Sequence, residues 1–314
     1  MKVVVTGGSG FIGSRLVKSL AKADHTVTSL DIRDTKSTIS DVDYIKADLT
    51  DYNEVEKAIR GADAVYHLAG VVLEGVRKDP FSGSERNVEI TRNIVEACKR
   101  QNVTKILFAS SFYVYDGIPE RHIVNEETPL AVLNMELFGA TKVFGESLLR
   151  EYNRRYGTHY VILRYGSAYG FGECSNVILS FLSETQAGRP VEVWGEGKRT
   201  NQYTYVDDLV EGSILALDKD DEVYNLISPW DTSVRELAEC LTRLYGMEVS
   251  FKRDKKEGTS MPYMSSRKAT KELGWTPTPL LEGIRRMVTE INAAHGRAVL
   301  IERPTNNANF TQVQ

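Results

Sequence analysis

Residues 3–17 read VVVTGGSGFIGSRLV and set three glycines, Gly7, Gly10 and Gly13, three apart between a β-branched run and an amphipathic one. A strand followed at once by a helix leaves only a tight turn in which to change direction, and each glycine answers a separate demand of that turn. The first permits the turn, the second lets a pyrophosphate approach the backbone, and the third lets the helix pack close to the sheet. Free N–H groups at the helix start then offer positive potential to an anion. The stretch therefore commits the N-terminal part to a parallel α/β sheet and makes a dinucleotide the first ligand to consider.

The rest of the N-terminal half repeats that alternation. Strand-like runs at 25–32, 43–49, 63–69 and 103–110 are separated by helical periodicity over about 13–23, 51–61 and 84–101. Such spacing predicts βαβ units in a doubly wound sheet, with ligands gathering at the polar turns after the strands. After THYVILRYG (158–166) glycine and proline become frequent, short strands and loops follow, and helices are expected near 208–218 and 233–245. We expect a first domain over 1–165, carrying a helix near 138–153, a smaller interleaved lobe over 166–302, and a frayed polar tail over 303–314.

Asp31 ends the second strand, 18 residues after Gly13. A carboxylate there accepts both hydroxyls of an adenosine ribose and repels a 2′-phosphate, which favours NAD over NADP. The competing reading is a turn or cap aspartate, and Arg33 close by leaves some room for a phosphate.

Composition narrows the partners. The 314 residues are 41% hydrophobic with a net charge of −4, and the lysines and arginines are scattered, so neither nucleic acid nor an anionic membrane is an expected partner. Cys98, Cys174 and Cys240 are odd in number, far apart and without metal-site spacing, and read as buried thiols. The chain has no apolar run of membrane length and enters a strand directly, so it is expected in the cytoplasm, acting on a small molecule.

The GxxGxxG spacing resembles the extended short-chain dehydrogenase/reductase family, the sugar-nucleotide epimerases and dehydratases. The resemblance recurs over roughly 1–280: KADLTD with Asp48 and Leu49, HLAG (67–70) with Leu68, Ala69 and Gly70, RNVEITRNIVEAC (86–98) with Asn87, SSFYVYDG (110–117), YTYVDD (203–208) and KELGWTP (271–277). It implies a Rossmann-type doubly wound parallel sheet with a smaller C-terminal α/β substrate lobe. It also implies NAD bound by Gly7, Gly10, Phe11, Ile12, Gly13, Asp31, Ile32, Asp48, Leu49, Leu68, Ala69, Gly70, Asn87, Ser110, Lys142 and Tyr165. A homodimer through helices near 87–101 and 138–153 is a further implication, which apolar positions such as Ile94, Val143 and Leu149 permit. Read singly, His67 is a satisfied core histidine and Asp207 or Asp208 a helix cap.

In this family a serine or threonine and a Tyr-xxx-Lys helix carry the redox chemistry. Ser111 matches the serine and Lys142 the lysine, but Phe138 stands at the tyrosine, within a stretch FGATK that otherwise keeps the YGxSK frame. A free phenol near pKa 10 is a poor base at neutral pH, so the family's lysine serves to lower it. Three readings of Phe138 stand open. It is an introduced Tyr→Phe change, or the natural chain uses another acid or base such as Tyr113, Glu136 or Asp116, or it kept binding and lost turnover.

The substrate side departs too. Ser167 stands where the family has asparagine, and its diphosphate-binding arginine falls at Asn201, with Arg199 two residues earlier; the arginine upstream of the last signature is missing from 255–269, although Arg267 is near. Asparagine cannot replace the charge of that arginine. The substrate is then a sugar or nucleotide sugar, with smaller sugars or sugar acids admitted. The carboxylates that dehydratases use would fall at Phe112 and Tyr113, which favours epimerase or dehydrogenase chemistry.

Overall fold

The computed structural model describes residues 1–34, 39–172 and 176–296. The chain runs β1 (Lys2–Thr6), α1 (Phe11–Lys22), β2 (Thr26–Asp31), β3 (Val42–Lys46), α2 (Tyr52–Ala58), β4 (Ala64–His67), α3 (Leu73–Lys78), α4 (Pro80–Arg100) and β5 (Lys105–Ser111). It continues through β6 (Ile123–Val124), α5 (Leu137–Tyr156), β7 (His159–Tyr165), β8 (Ser167–Tyr169), α6 (Val177–Gln186), β9 (Val191–Trp194), β10 (Thr200–Asn201), β11 (Tyr203–Tyr205) and α7 (Val206–Leu215). The last elements are β12 (Glu222–Leu226), β13 (Thr232–Ser233), α8 (Val234–Tyr245), β14 (Val249–Lys252), β15 (Tyr263–Met264), α9 (Arg267–Leu273) and α10 (Leu280–Ala294).

Seven strands form one parallel sheet in the order β12-β7-β5-β4-β1-β2-β3. The order reverses between β1 and β4, so the loops after those strands diverge and open a crevice at the carboxyl edge. Alternate side chains of each strand face opposite layers. Val3, Val5, Tyr66, Leu107 and Leu163 pack with Leu16 and Leu20 of α1 on one face, while Val4, Val65, Ile106, Phe108 and Ile162 pack with Ile94 of α4 and Leu149 of α5 on the other. Coverage on both faces is why these strands read as continuous apolar runs.

A separate cluster of Tyr169, Phe181, Val193, Tyr205, Leu241, Leu244, Ile284 and Met287 gathers α6, α8, α10 and the short parallel pairs β8-β11 and β9-β14. Phe11 and Ile12 at the start of α1 pack against it, which sets this lobe over the carboxyl edge. Helix α4 begins at Pro80, earlier than its periodicity indicates, because Asp79 caps it by accepting from Ser82 N and proline suits the first turn. Asp207 and Asp208 are not caps, since Tyr205 holds that position. Asp207 pairs with Arg15 at 2.8 Å, and Asp208 accepts from Thr278 N and Oγ1, both at 2.7 Å. Cys98 and Cys240 are buried, as expected. Cys174, the tail over 303–314 and the end of the lobe at 302 lie outside the described residues.

Candidate active site

The loop after β1 turns at Gly7, whose φ of +71° is the left-handed region that favours glycine. Gly10 N–H donates to Gly7 O at 2.9 Å, and a Cβ at Gly13 would stand 2.1 Å from that same oxygen. No side chain caps α1. The N–H groups of Phe11, Ile12 and Gly13 in its first turn are therefore available to an anion.

Asp31 closes β2 beside this loop. Its carboxylate accepts from Ser9 N at 3.0 Å, Arg33 N at 3.0 Å, and the Arg33 guanidinium at 3.1 and 3.2 Å. Burial pushes the carboxyl up, but the hydrogen bonds and charge of Arg33, with Ser9 N–H, outweigh it and hold Asp31 below the usual range. Ile32 projects outward beyond it. Asp48 accepts from Thr50 N and Oγ1 at 3.1 and 2.8 Å, while Asp51 caps α2. The Leu49 side chain is turned into the core.

The loop after β4 meets the first loop directly. Ala69 N–H donates to Thr6 Oγ1 at 3.1 Å, and a Cβ at Gly7 would lie 3.0 Å from Ala69 N. Leu68, Ala69 and Gly70 are thus brought against the glycine loop. Asn87 holds the segment from behind: its Oδ1 accepts from Val71 N at 2.6 Å and its Nδ2 donates to Val71 O at 3.0 Å. Its amide is engaged by the chain, so its part is to position the loop. His67 is buried between Thr6 Oγ1 (3.0 Å) and Thr91 Oγ1 (3.2 Å), and burial together with Lys142 pushes it down to about 3, a neutral core histidine as expected.

Strand β5 ends in Ser110 and Ser111, and α5 crosses beside it. Ser111 Oγ accepts from Tyr113 N at 3.2 Å, the first turn of a 3-10 segment over Phe112–Tyr115. Phe138 is buried, its ring edge-on to Tyr113 with centroids 5.8 Å apart. Lys142 Nζ donates to Ala109 O at 2.9 Å and lies over the Phe108 and Phe138 rings, 5.2 and 5.8 Å from their centroids. Burial lowers this amine to about 8. Helix and strand approach so closely because position 145 is glycine: a Cβ there would sit 2.5 Å from Phe108 Cζ.

Two expected ligands face elsewhere. Ser110 Oγ donates to Glu146 at 2.7 Å within the core, and the Tyr165 hydroxyl shares a 2.7 Å bond with Ser213 Oγ, where burial pushes it up to about 12. Sequence reasoning also missed a buried pair beneath the site. Glu146 accepts from Arg164 Nε at 2.9 Å and Nη2 at 2.8 Å, and Arg164 Nη1 donates to Tyr115 Oη at 2.7 Å. Burial pushes Glu146 up, and Arg164, Ser110 and Arg150 overcome it to hold the carboxyl below its usual range. An arginine inside the apolar strand YVILRYG was the available signal.

Across the crevice, Asn201 Nδ2 donates to Ser167 Oγ at 2.8 Å, a neutral pair tied to itself. Arg199 is exposed, its backbone N–H donating to Glu257 and its charge felt by Tyr113 and Tyr203. Among the described residues no group of three metal-ligating side chains occurs.

A glycine cradle, an ionised carboxylate at the next strand end, and a Ser111–Lys142 edge thus share one crevice, and residues 3–226 match the family model of the NAD dependent epimerase/dehydratase family. The chain belongs to that family. As an NAD dependent epimerase/dehydratase family member it is 32% identical over 298 residues to a putative UDP-glucose 4-epimerase of Methanocaldococcus jannaschii, covering 91% of this chain and 97% of that one. It is 30% identical to UDP-glucuronic acid decarboxylase 1 of Arabidopsis thaliana, covering 92% of this chain and 69% of the relative. Its fold matches the UDP-glucose 4-epimerase of Thermus thermophilus in complex with NAD, with a TM-score of 0.82, 29% identity, and coverage of 94% and 100%. These relatives are named as enzymes, and the reading of a chain that binds without turnover finds no support in them. The family is NAD-dependent, and the cradle at Gly7 and Gly13, which side chains would fill, fits that cofactor. Of the positions expected to permit a dimer, Ile94 and Leu149 lie instead within the protomer's own core, while Val143 is partly buried against a small cluster around Val114 and Met264. Among the described residues no helix is long and apolar enough to cross a membrane.

Proposed function

We propose that this chain is an NAD-dependent sugar epimerase or dehydrogenase, acting on one hydroxyl of a sugar or nucleotide sugar. The observation that carries the reading is the convergence of the Gly7–Gly13 cradle, the ionised Asp31, Ser111 and Lys142 at one carboxyl edge. When bound, NAD supplies the hydride acceptor and, in epimerisation, the returning donor.

The chain's own residues divide the remaining work. The first-turn N–H groups at Phe11, Ile12 and Gly13 would hold the pyrophosphate, and Asp31 would take the ribose hydroxyls on release of Arg33. Ser111 Oγ would orient the substrate oxygen, with Lys142 beside it. Phe112 and Tyr113 present rings, not carboxylates, where removal of a carbon-bound proton needs a base, so elimination is disfavoured. In this reading residues 1–165 bind the cofactor and 166–302 close over the sugar. A homodimer through the faces of α4 and α5, and a cytoplasmic location, complete the proposal and rest on resemblance.

The test is direct. NAD at 100 times its Kd should stabilise the protein by about 2.7 kcal/mol, more than NADP at equal concentration. Sugars, uronic acids and nucleotide sugars are then screened for reduction of the nicotinamide. Absence of any NAD-induced rise in melting temperature would overturn the reading.

A further inference from the structure

Without a hydroxyl at position 138, some other group has to take the proton that a sugar alcohol loses with its hydride. The titratable groups around Phe138 narrow the choice. His67, from β4, has both ring nitrogens bonded and stays neutral. Tyr165, from β7, is tied to Ser213 in the core. Glu146, two turns along α5, is locked by Arg164 and Ser110. Tyr113 is pushed up by burial, with Arg77 and Arg199 pulling down against Glu136 and Asp116, so it stays a phenol.

Lys142 is left. Its Nζ makes one hydrogen bond, to Ala109 O, two residues before Ser111, and lies over the rings of Phe108 and Phe138, with the neutral His67 near enough to feel its charge. Among the described residues no carboxylate pairs with it. In a site where tyrosinate would balance this charge, a phenylalanine ring leaves the ammonium uncompensated.

We propose that Lys142 is itself the proton-transfer residue of this chain, its neutral amine accepting the proton of the substrate hydroxyl beside Ser111. The O–H bond breaks as a new N–H bond forms, the carbon's hydride leaves with its two electrons to the oxidised nicotinamide, and the alcohol becomes a ketone. The ammonium returns the proton when the ketone is reduced. The inference rests on the NAD-dependent reading above. Burial brings the amine to about 8, so the base form grows as pH rises through that value.

Two measurements test it. Acylation of the NAD-free protein by acetic anhydride over a pH series, read at Lys142 by mass spectrometry, should rise with a midpoint near 8, where ordinary lysines rise near 10.4. A midpoint above about 10 overturns the proposal. With NAD and a sugar alcohol that the native chain oxidises, Lys142→Arg keeps the cation but cannot release its proton. At saturating NAD it should lose roughly 100-fold or more in kcat, as much as Lys142→Met, and lose the alkaline rise, with its Kd for NAD measured alongside so that lost binding is not counted as lost turnover. If Lys142→Arg keeps the rate and pH profile, Lys142 only positions the site and the proposal falls. Loss of turnover in Tyr113→Phe but not in Lys142→Arg would move the role to Tyr113. Failure of the native chain to bind NAD would overturn the cofactor reading together with this one.

Discussion

Arg164→Met should expose how the site is braced. Arg164 and Glu146 have side chains 3% and 1% exposed. The substitution removes two charge-assisted donors to the carboxylate, at 2.9 and 2.8 Å, and the donor to Tyr115 at 2.7 Å. Glu146 keeps Ser110 Oγ at 2.7 Å and a distant Arg150 at 3.4 Å. Leaving one buried charge without its partner costs about 3–5 kcal/mol, which in a chain of 314 residues lowers Tm by about 5–8 °C. Thermal melts followed by tryptophan fluorescence and calorimetry measure it. Arg164→Met with Glu146→Leu should recover more than half of the loss, since two apolar residues leave no stranded charge. The pH dependence has a definite sign. In the native chain Glu146 lies below its ordinary value, so its contribution is present above about 4.3 and is lost as pH falls through the lower folded value. In Arg164→Met the lone buried carboxyl is raised instead, so the gap to the native chain should narrow as pH falls toward about 4.3. A single-variant loss under about 1 kcal/mol, or no recovery in the double variant, would refute the claim that this pair braces β5, α5 and β7.

Three further outcomes are expected. Gly13→Ala should keep the fold yet weaken NAD at least about 10-fold by titration, because its Cβ would meet Gly7 O at 2.1 Å and displace the loop. Asp31→Asn should lower the preference for NAD over NADP by about 10-fold in paired Kd measurements, since the charge opposing a 2′-phosphate is gone. Phe138→Tyr should fold normally, because the ring is retained, and should move the rise of rate to lower pH, the Lys142 ammonium favouring tyrosinate; an unchanged profile would put the working proton elsewhere.

The sheet was legible because parallel strands buried on both faces read as continuous apolar runs, and because Gly7, Gly10 and Gly13 admit few alternatives. Helix α6 was not anticipated: it buries one face through Ile178, Phe181 and Leu182, three positions in ten residues, too short a period to stand out beside the surrounding loops. Among site residues, Lys142 lies over the Phe138 ring on α5, and Ser111 ends β5 with its Oγ accepting from Tyr113 N. Ser110, Tyr165 and Asn87 stand at the anticipated places with their polar groups engaged by Glu146, Ser213 and Val71, all partners distant in sequence. A motif fixes where a backbone passes; the direction a hydroxyl takes depends on groups that only the fold brings near. The Ser167–Asn201 bond is of the same kind, two unrelated departures that turn out to satisfy each other.

Gly145 carries a consequence beyond packing. Phe108 is both the ring beneath Lys142 and the one that a side chain at 145 would strike, at 2.5 Å. The height of α5 above the sheet, and with it the bond from Lys142 Nζ to Ala109 O, is therefore calibrated by a missing methyl group. Any residue larger than glycine acts as a shim under the helix. Phe138 stands at one end of that helix as a buried ring, whereas a gain of one carbon two turns later would detune the site without touching any group that performs chemistry.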